Sequence, residues 1–177
     1  ISQIIPSDFD DLPIRPVLVD GERLRVDLEF PGRQVAVHVW EARVGHIRLF
    51  LLDTDLPENS EADRRITRQL YGGAREMRIE QEIILGMGGV RALQALGIQP
   101  TIWHINEGHA AFMILERIHN LVQQGLDFAS ALESVAVNTV FTTHTAVPAG
   151  HEHFSPDMMQ IYFEDFYRSM NITQEAF

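Results

Sequence analysis

The stretch TIWHINEGHAAFMILERI (101–118) decides the fold. Thr101 to Ile105 is a short, largely apolar run, which predicts a buried strand. Asn106 then reads as a natural N-cap, and Ala110, Ala111, Ile114, Leu115, Ile118, Leu121 and Val122 recur at helical spacing. Downstream the same order returns. A helix over about 127–137 precedes a second strand, Thr139 to Thr143, and the loop HTAVPAGHEHF (144–154). Ser155-Pro156 then caps and opens a last helix that runs to about Met170. Strand, helices, strand, helix is the order of an α/β fold with parallel strands.

Upstream, Met77, Ile83, Ile84, Met87, Val90, Leu93 and Leu96 fall on a broad helical face that ends at Gly97. LGMGGV (85–90) lies inside it. A phosphate loop would follow a strand and open a helix. Glycines within a helical pattern instead predict close packing of that helix against a neighbour. The first quarter reads as β structure: Leu12–Asp20, Arg23–Phe30, Gln34–Ala42 and Gly45–Leu52, parted by Asp20-Gly21, Pro31-Gly32 and Gly45. VDGERLRVDLEF (19–30) is the clearest hairpin, and LDTDLPENSEAD (52–63) is an acidic loop. The expected organisation is a β-rich segment over 1–60 and an α/β portion over 61–177, together one truncated domain.

Composition removes several classes of function. A net charge of −11 argues against a nucleic-acid surface, which needs clustered positive charge. No apolar run reaches the ~20 residues of a membrane helix. The opening ISQIIPSDFDD carries no secretory pattern. Cysteine is absent, which excludes disulfides and thiol nucleophiles and fits a cytoplasmic protein. All 14 basic residues are arginine, so no lysine is present for a Schiff base or a Walker-type phosphate contact. The chain opens on Ile1, and Thr173 would cap a helix that is cut short, so both ends read as cuts in a longer protein.

In an open α/β sheet, ligands bind beyond the carboxyl ends of the strands. NEGH (106–109) and THTAVPAGH (143–151) stand there, about one crossover apart. Asn106, Glu107, His109 and His144 are therefore expected to face one crevice, with Thr143 beside them. Carboxylate, amide and imidazole groups suit sugar hydroxyls. A helix N-terminus at 106–109 would favour anionic groups. Plainer readings stand beside these: Asn106 as a cap alone, Glu107 as a dipole-favoured first-turn residue, either histidine as structural. His104, His109, His144, His151 and His153 raise the idea of a metal. HINEGH is not HExxH, however, and positions 104 and 109 do not share a helix face, so no metal site is predicted. No second carboxylate is placed for glycoside hydrolysis, and no GxSxG elbow occurs.

RLFLLD (48–53) before the acidic loop, LYGGAREMRIEQEIILGMGGVRALQALG (70–97), WHINEGHAAFMILERI (103–118) and TVFTTHTAVPAGHEHF (139–154) resemble the α-glucan phosphorylases. These are the glycogen, starch and maltodextrin phosphorylases, and the likeness is to their shorter bacterial and archaeal branch. It runs from about Leu12 to the end of the chain. The resemblance implies a two-lobed GT-B-type fold with Rossmann-like parallel sheets, of which this chain is an internal piece of the N-terminal lobe. It implies pyridoxal 5′-phosphate as cofactor, with α-1,4-glucan and inorganic phosphate as substrates, glucose 1-phosphate as product, and a homo-oligomer as one state. His144 matches the histidine that contacts the glucosyl unit, through its imidazole toward the 6-hydroxyl and its carbonyl near the anomeric carbon. Glu107 and His109 match the acidic residue and histidine supporting that pocket, with Asn106 and Thr143 flanking them. Ala146 stands where many relatives have proline. The cofactor lysine and phosphate-binding basic residues have no counterpart, as expected if they belong to the other lobe. Two other functions remain open: a noncatalytic carbohydrate-binding domain, and a nucleotide-sugar-dependent glycosyltransferase of similar fold.

Overall fold

A computed structural model describes residues 11–69, 75–147 and 153–173. Parts of the loop at 143–151, the glycine pair at 72–73, His151 and the helix expected after Thr173 lie outside the described residues.

The N-terminal strands are β1 (Ile14–Pro16), β2 (Leu18–Val19), β3 (Glu22–Arg23), β4 (Arg25–Phe30), β5 (Arg33–Val44) and β6 (Ile47–Asp53). All their pairings are antiparallel. The Asp20-Gly21 hairpin is present, with φ of +53° and +87° at the two turn residues, the left-handed pair that a tight two-residue turn demands. It is shorter than expected, joining only Leu18–Val19 to Glu22–Arg23. β1 turns away and pairs with the far half of β5, Pro16 opposite Trp40 and Ile14 opposite Ala42. β5 has 12 residues and β4 only 6, so β4 covers half of that edge and β1 takes the rest.

One face of this sheet carries Val26, Leu28, Phe30, Val35, Val37 and Val39, all buried. Helix α1 (Arg75–Ile83) and α2 (Gly89–Ala95) lie against it, joined without a break by a wider π turn at Ile84–Gly88. The expected long helix is thus present, with its glycines at the widened turn. A Cβ on Gly86 would lie 2.7 Å from the Met113 backbone nitrogen, and one on Gly88 would lie 3.2 Å from Leu28 Cδ1. Both glycines sit at close approaches, as the pattern predicts. Phe112 and Phe163 complete the core cluster, with ring centroids 4.8 Å apart.

The second sheet has two strands, β7 (Trp103–Asn106) and β8 (Thr139–Thr142), and they run parallel with Trp103 opposite Thr139 and Asn106 opposite Thr142. Between them come α3 (Met113–Gln123) and α4 (Phe128–Ala136), the latter capped by Asp127, which accepts from the Ser130 amide at 2.9 Å. After β8, α5 (Pro156–Ser169) starts at Ser155-Pro156 as expected. A smaller core of Ile118, Ala131, Val135, Tyr167 and Met170 joins α3, α4 and α5. The fold is therefore mixed α/β, with an antiparallel sheet and a parallel pair.

A second local expectation fails. Asn106 caps no helix: it is the last residue of β7, paired with Thr142, and α3 does not begin until Met113. The reason is at Glu107, whose φ of +59° and ψ of −166° no helical first turn can contain. A short 3₁₀ turn, Gly108–Ala110, fills the gap. The helix-end argument for anion binding at 106–109 falls with the cap.

Candidate functional site

The carboxyl edges of β7 and β8 meet at Glu107. It is 4% exposed and holds a backbone conformation that is essentially reserved for glycine. Such strain persists only where the surroundings over-determine it. Here the strain aims the Glu107 carboxylate across the sheet edge. Oε1 accepts the His144 amide at 2.7 Å and the Thr145 amide at 2.8 Å, and the Thr143 hydroxyl reaches Oε2 at 3.5 Å. His144 Nδ1 stands 3.2 Å from Oε1. Glu107 N in turn donates to the Thr142 carbonyl at 2.8 Å, closing the pairing of the two strands. These donors, led by the His144 amide, hold the carboxyl down at about 2, so it is a fixed anion at any working pH.

His144 is tied to Glu107 through its backbone amide, and its ring lies beside the carboxylate at ion-pair distance. The side chain is 62% exposed, so the ring projects from the edge with only its root tied down.

His109 sits in the 3₁₀ turn, half-buried, and its Nδ1 lies 3.5 Å from an Arg78 guanidinium nitrogen. It lines a cavity of about 400 Å³ with Phe50, Leu52, Arg78 and Glu82. Larger cavities, of about 490 and 500 Å³, lie between α5 and the β4–β5 turn and at the amino end of β7 and β8, away from this edge.

The structure therefore brings Glu107, His144 and Thr143 into direct contact and keeps His109 on the adjoining turn. Asn106 is exposed at the strand end and makes its backbone pairing to β8. His104, one of the metal candidates, is engaged by the Thr142 hydroxyl at 2.6 Å. Among the described residues no group of three or more His, Asp or Glu is placed to hold a metal ion. No described helix is long and apolar enough to cross a membrane. Sequence reading missed Arg78 and Glu82, 7% and 4% exposed, on the buried side of α1. Their signal was present: an Arg and a Glu at i,i+4, interleaved with Ile79 and Ile83 on the apolar face.

This geometry is that of the joint carboxyl edge of two parallel strands, and the relatives give the chain a family. The chain is 45% identical over 146 residues to maltodextrin phosphorylase of Thermococcus litoralis, covering 82% of the chain and 18% of that protein. It is 46% identical over 167 residues to glycogen phosphorylase of Mycobacterium tuberculosis, covering 89% and 19%. Glycogen phosphorylase of Aquifex aeolicus is 38% identical over 135 residues, covering 76% and 20%. No protein-family model matches the chain. The chain belongs to the glycogen and maltodextrin phosphorylase family. It spans about a fifth of the length of the curated relatives it matches.

Proposed function

We propose that this segment builds one wall of the glucosyl pocket of an α-1,4-glucan phosphorylase. That enzyme releases glucose 1-phosphate from the non-reducing glucan end with inorganic phosphate, and the segment is the α/β part of the N-terminal lobe of a GT-B-type fold. The observation that carries the reading is the Glu107 carboxylate, strained into place and bonded to the His144 and Thr145 amides at the joint edge of β7 and β8. The identity of 45–46% to phosphorylases supports the same reading.

In this reading His144 and its loop contact the sugar, and Glu107 sets their position. Exposed at the edge, with its amide held by Glu107, His144 can meet a sugar hydroxyl through its imidazole as donor or acceptor. Glu107 itself, buried and held ionised by two loop amides on Oε1, acts as a positioning anion and not as a general acid. Asn106 and Thr143 border the contact, and His109 supports it from the 3₁₀ turn. Pyridoxal 5′-phosphate, the cofactor the family implies, has no attachment point here, because the 177 residues contain no lysine. No step through it can be assigned to this chain, which by itself is inactive in phosphorolysis.

In a phosphorylase carrying this segment, His144→Ala lowers kcat and kcat/KM together by roughly 10²-fold, the effect of removing one well-placed polar stabiliser of the transition state. Unchanged turnover of maltoheptaose with phosphate refutes the assignment. Turnover that needs a nucleotide sugar, and not phosphate, points to the other glycosyltransferase class. The isolated chain, incubated with pyridoxal phosphate and reduced with borohydride, gains no adduct except at its terminal amine and yields no glucose 1-phosphate.

A further inference from the structure

Arg117, on α3, is 8% exposed, and a guanidinium so far from water is ordinarily matched by a carboxylate. Its partners here are neutral. Nη1 donates to the Thr139 hydroxyl at 2.7 Å and Nη2 to the Asn138 side-chain oxygen, while Cζ stands 4.6 Å from the centre of the Trp103 ring. The Thr139 hydroxyl directs its own proton to the Val135 carbonyl at 2.6 Å, so toward Arg117 it only accepts. Among the described residues no carboxylate pairs with Arg117, and no acceptor meets its Nε. Burial alone draws the group below its usual range, with no neighbouring anion to offset it.

The cation lines the cavity of about 500 Å³ at the amino end of β7 and β8. The chain carries 25 acidic residues, yet no Asp or Glu is among the described residues lining this cavity, and Arg117 is the one charged side chain among them. The cavity is therefore electropositive inside a protein of net charge −11. Asn120, on the same face of α3 one turn further on, adds a side-chain Nδ2 that is buried with no partner among the described residues. Val90 and Val135 give the cavity an apolar wall, and Gln94, Gln124 and Ser134 stand exposed around it. We propose that this cavity binds a small hydroxylated monocarboxylate, its carboxylate on the Nε and the remaining N–H groups of Arg117 and its hydroxyls toward the amides and Ser134. A planar carboxylate matches the guanidinium fork side on. One desolvated cation balances one negative charge, whereas a phosphate ester brings close to two and leaves part of its charge buried and unmatched. The site lies at the end of β7 and β8 opposite Glu107 and His144 and does not depend on their role.

The test titrates the chain with D-gluconate against sodium chloride of equal ionic strength. In ¹H–¹⁵N spectra of the arginine Nε groups, the Arg117 signal, assigned by its loss in Arg117→Met, moves with gluconate and saturates. At ten times the Kd, Tm rises by about 3–6 °C. By calorimetry Arg117→Met weakens gluconate binding about 10–100-fold, the loss expected of a hydrogen-bonded charge. That substitution also removes the contacts to Trp103 and Thr139, so two milder variants decide the matter if it fails to fold. Asn120→Asp sets a carboxylate one turn from the guanidinium and abolishes the response, whereas Asn120→Gln keeps an uncharged amide and retains most of it. Undiminished binding in Asn120→Asp places the ligand elsewhere and overturns the site. A shift that chloride reproduces is screening only, and an Arg117 signal that does not move shows that Thr139, Asn138 and Trp103 satisfy the guanidinium; either result overturns the site. Inorganic phosphate binding as tightly as gluconate overturns the monocarboxylate class. In a phosphorylase carrying the segment, gluconate binding keeps its dependence on Arg117. If the whole enzyme shows no such binding, an acidic side chain from the rest of that enzyme fills the cavity, and the ligand reading falls.

Discussion

Replacing Gly86 with alanine should destabilise the protein, while the same change three residues on, at Gly89, should stabilise it. A Cβ at Gly86 meets the Met113 nitrogen at 2.7 Å, the Phe112 carbonyl carbon at 3.0 Å and the Ala110 oxygen at 3.2 Å. The first of these is about 0.7 Å inside the 3.4 Å at which ordinary contact begins. All three are backbone atoms, so no rotamer change relieves the overlap. Either the π turn or the 110–113 segment must move. Overpacking of this kind costs about 1–3 kcal/mol. The helical preference of alanine over glycine offsets at most about 1 kcal/mol. Overlap with backbone places the cost at the upper end of that range, so the net loss of about 1–2 kcal/mol lowers Tm by about 2–8 °C for a domain of this size. At Gly89 nothing stands within 4 Å of the added Cβ, and the backbone is helical with φ −60° and ψ −44°. Gly89→Ala therefore gains about 0.4–1 kcal/mol, mostly by restricting the unfolded chain. Differential scanning calorimetry on both variants measures the difference directly. If Gly86→Ala melts at or above the wild-type temperature, or if Gly89→Ala falls as far as Gly86→Ala, then close approach does not explain the glycine cluster.

Two further outcomes follow from the charged groups. Glu107→Gln keeps the shape of the side chain but removes the anion, so hydrogen exchange at the His144 and Thr145 amides speeds up while exchange in α3 is unchanged; equal protection in both proteins rules out Glu107 as the anchor of that loop. Acid stability should fall in two stages. Burial holds His38 and His119 below the ordinary 6.5, favouring their neutral forms in the fold, so the stability they contribute is complete above that pH and declines below it. Glu41, gripped by Arg48 and Arg15, and Glu107 are both held at about 2 against an ordinary 4.5, so their contribution is complete above about pH 4.5 and lost on the way down to about 2. Arg48→Met moves the lower stage to higher pH, and a melting temperature that stays level from pH 7 to pH 3 contradicts both assignments.

Much of this was legible in residue patterns. Strand β7, strand β8 and their parallel order follow from two short apolar runs separated by helical repeats, because period and length are local properties. The Asp20-Gly21 turn and the Ser155-Pro156 helix start were equally local. The candidate site was legible as far as its address, two loops at the carboxyl ends of neighbouring strands, and the wording of NEGH and THT pointed to the family. The misreadings came where local preference lost to longer-range contact. Asn106 has the chemistry of a cap, but its backbone is claimed by Thr142 of β8. Leu12–Asp20 has the pattern of a full hairpin partner for β4, but β1 leaves for the uncovered half of β5. In both cases strand pairing with a distant segment supplied the hydrogen bonds that the local reading had assigned elsewhere.

By itself, then, the sequence determined the alternation of elements, the location of the candidate loops, and the absence of any lysine side chain for a Schiff base. Only the tertiary structure decided what those loop residues do. No spacing rule predicts that Glu107 adopts a left-handed φ so that its carboxylate reaches the amides of residues 144 and 145, because that conformation is unfavourable locally and is held only by contacts made 37 and 38 residues away. The contact between Arg78 and His109 is likewise a product of folding, since the two are 31 residues apart in the chain and adjacent only in space.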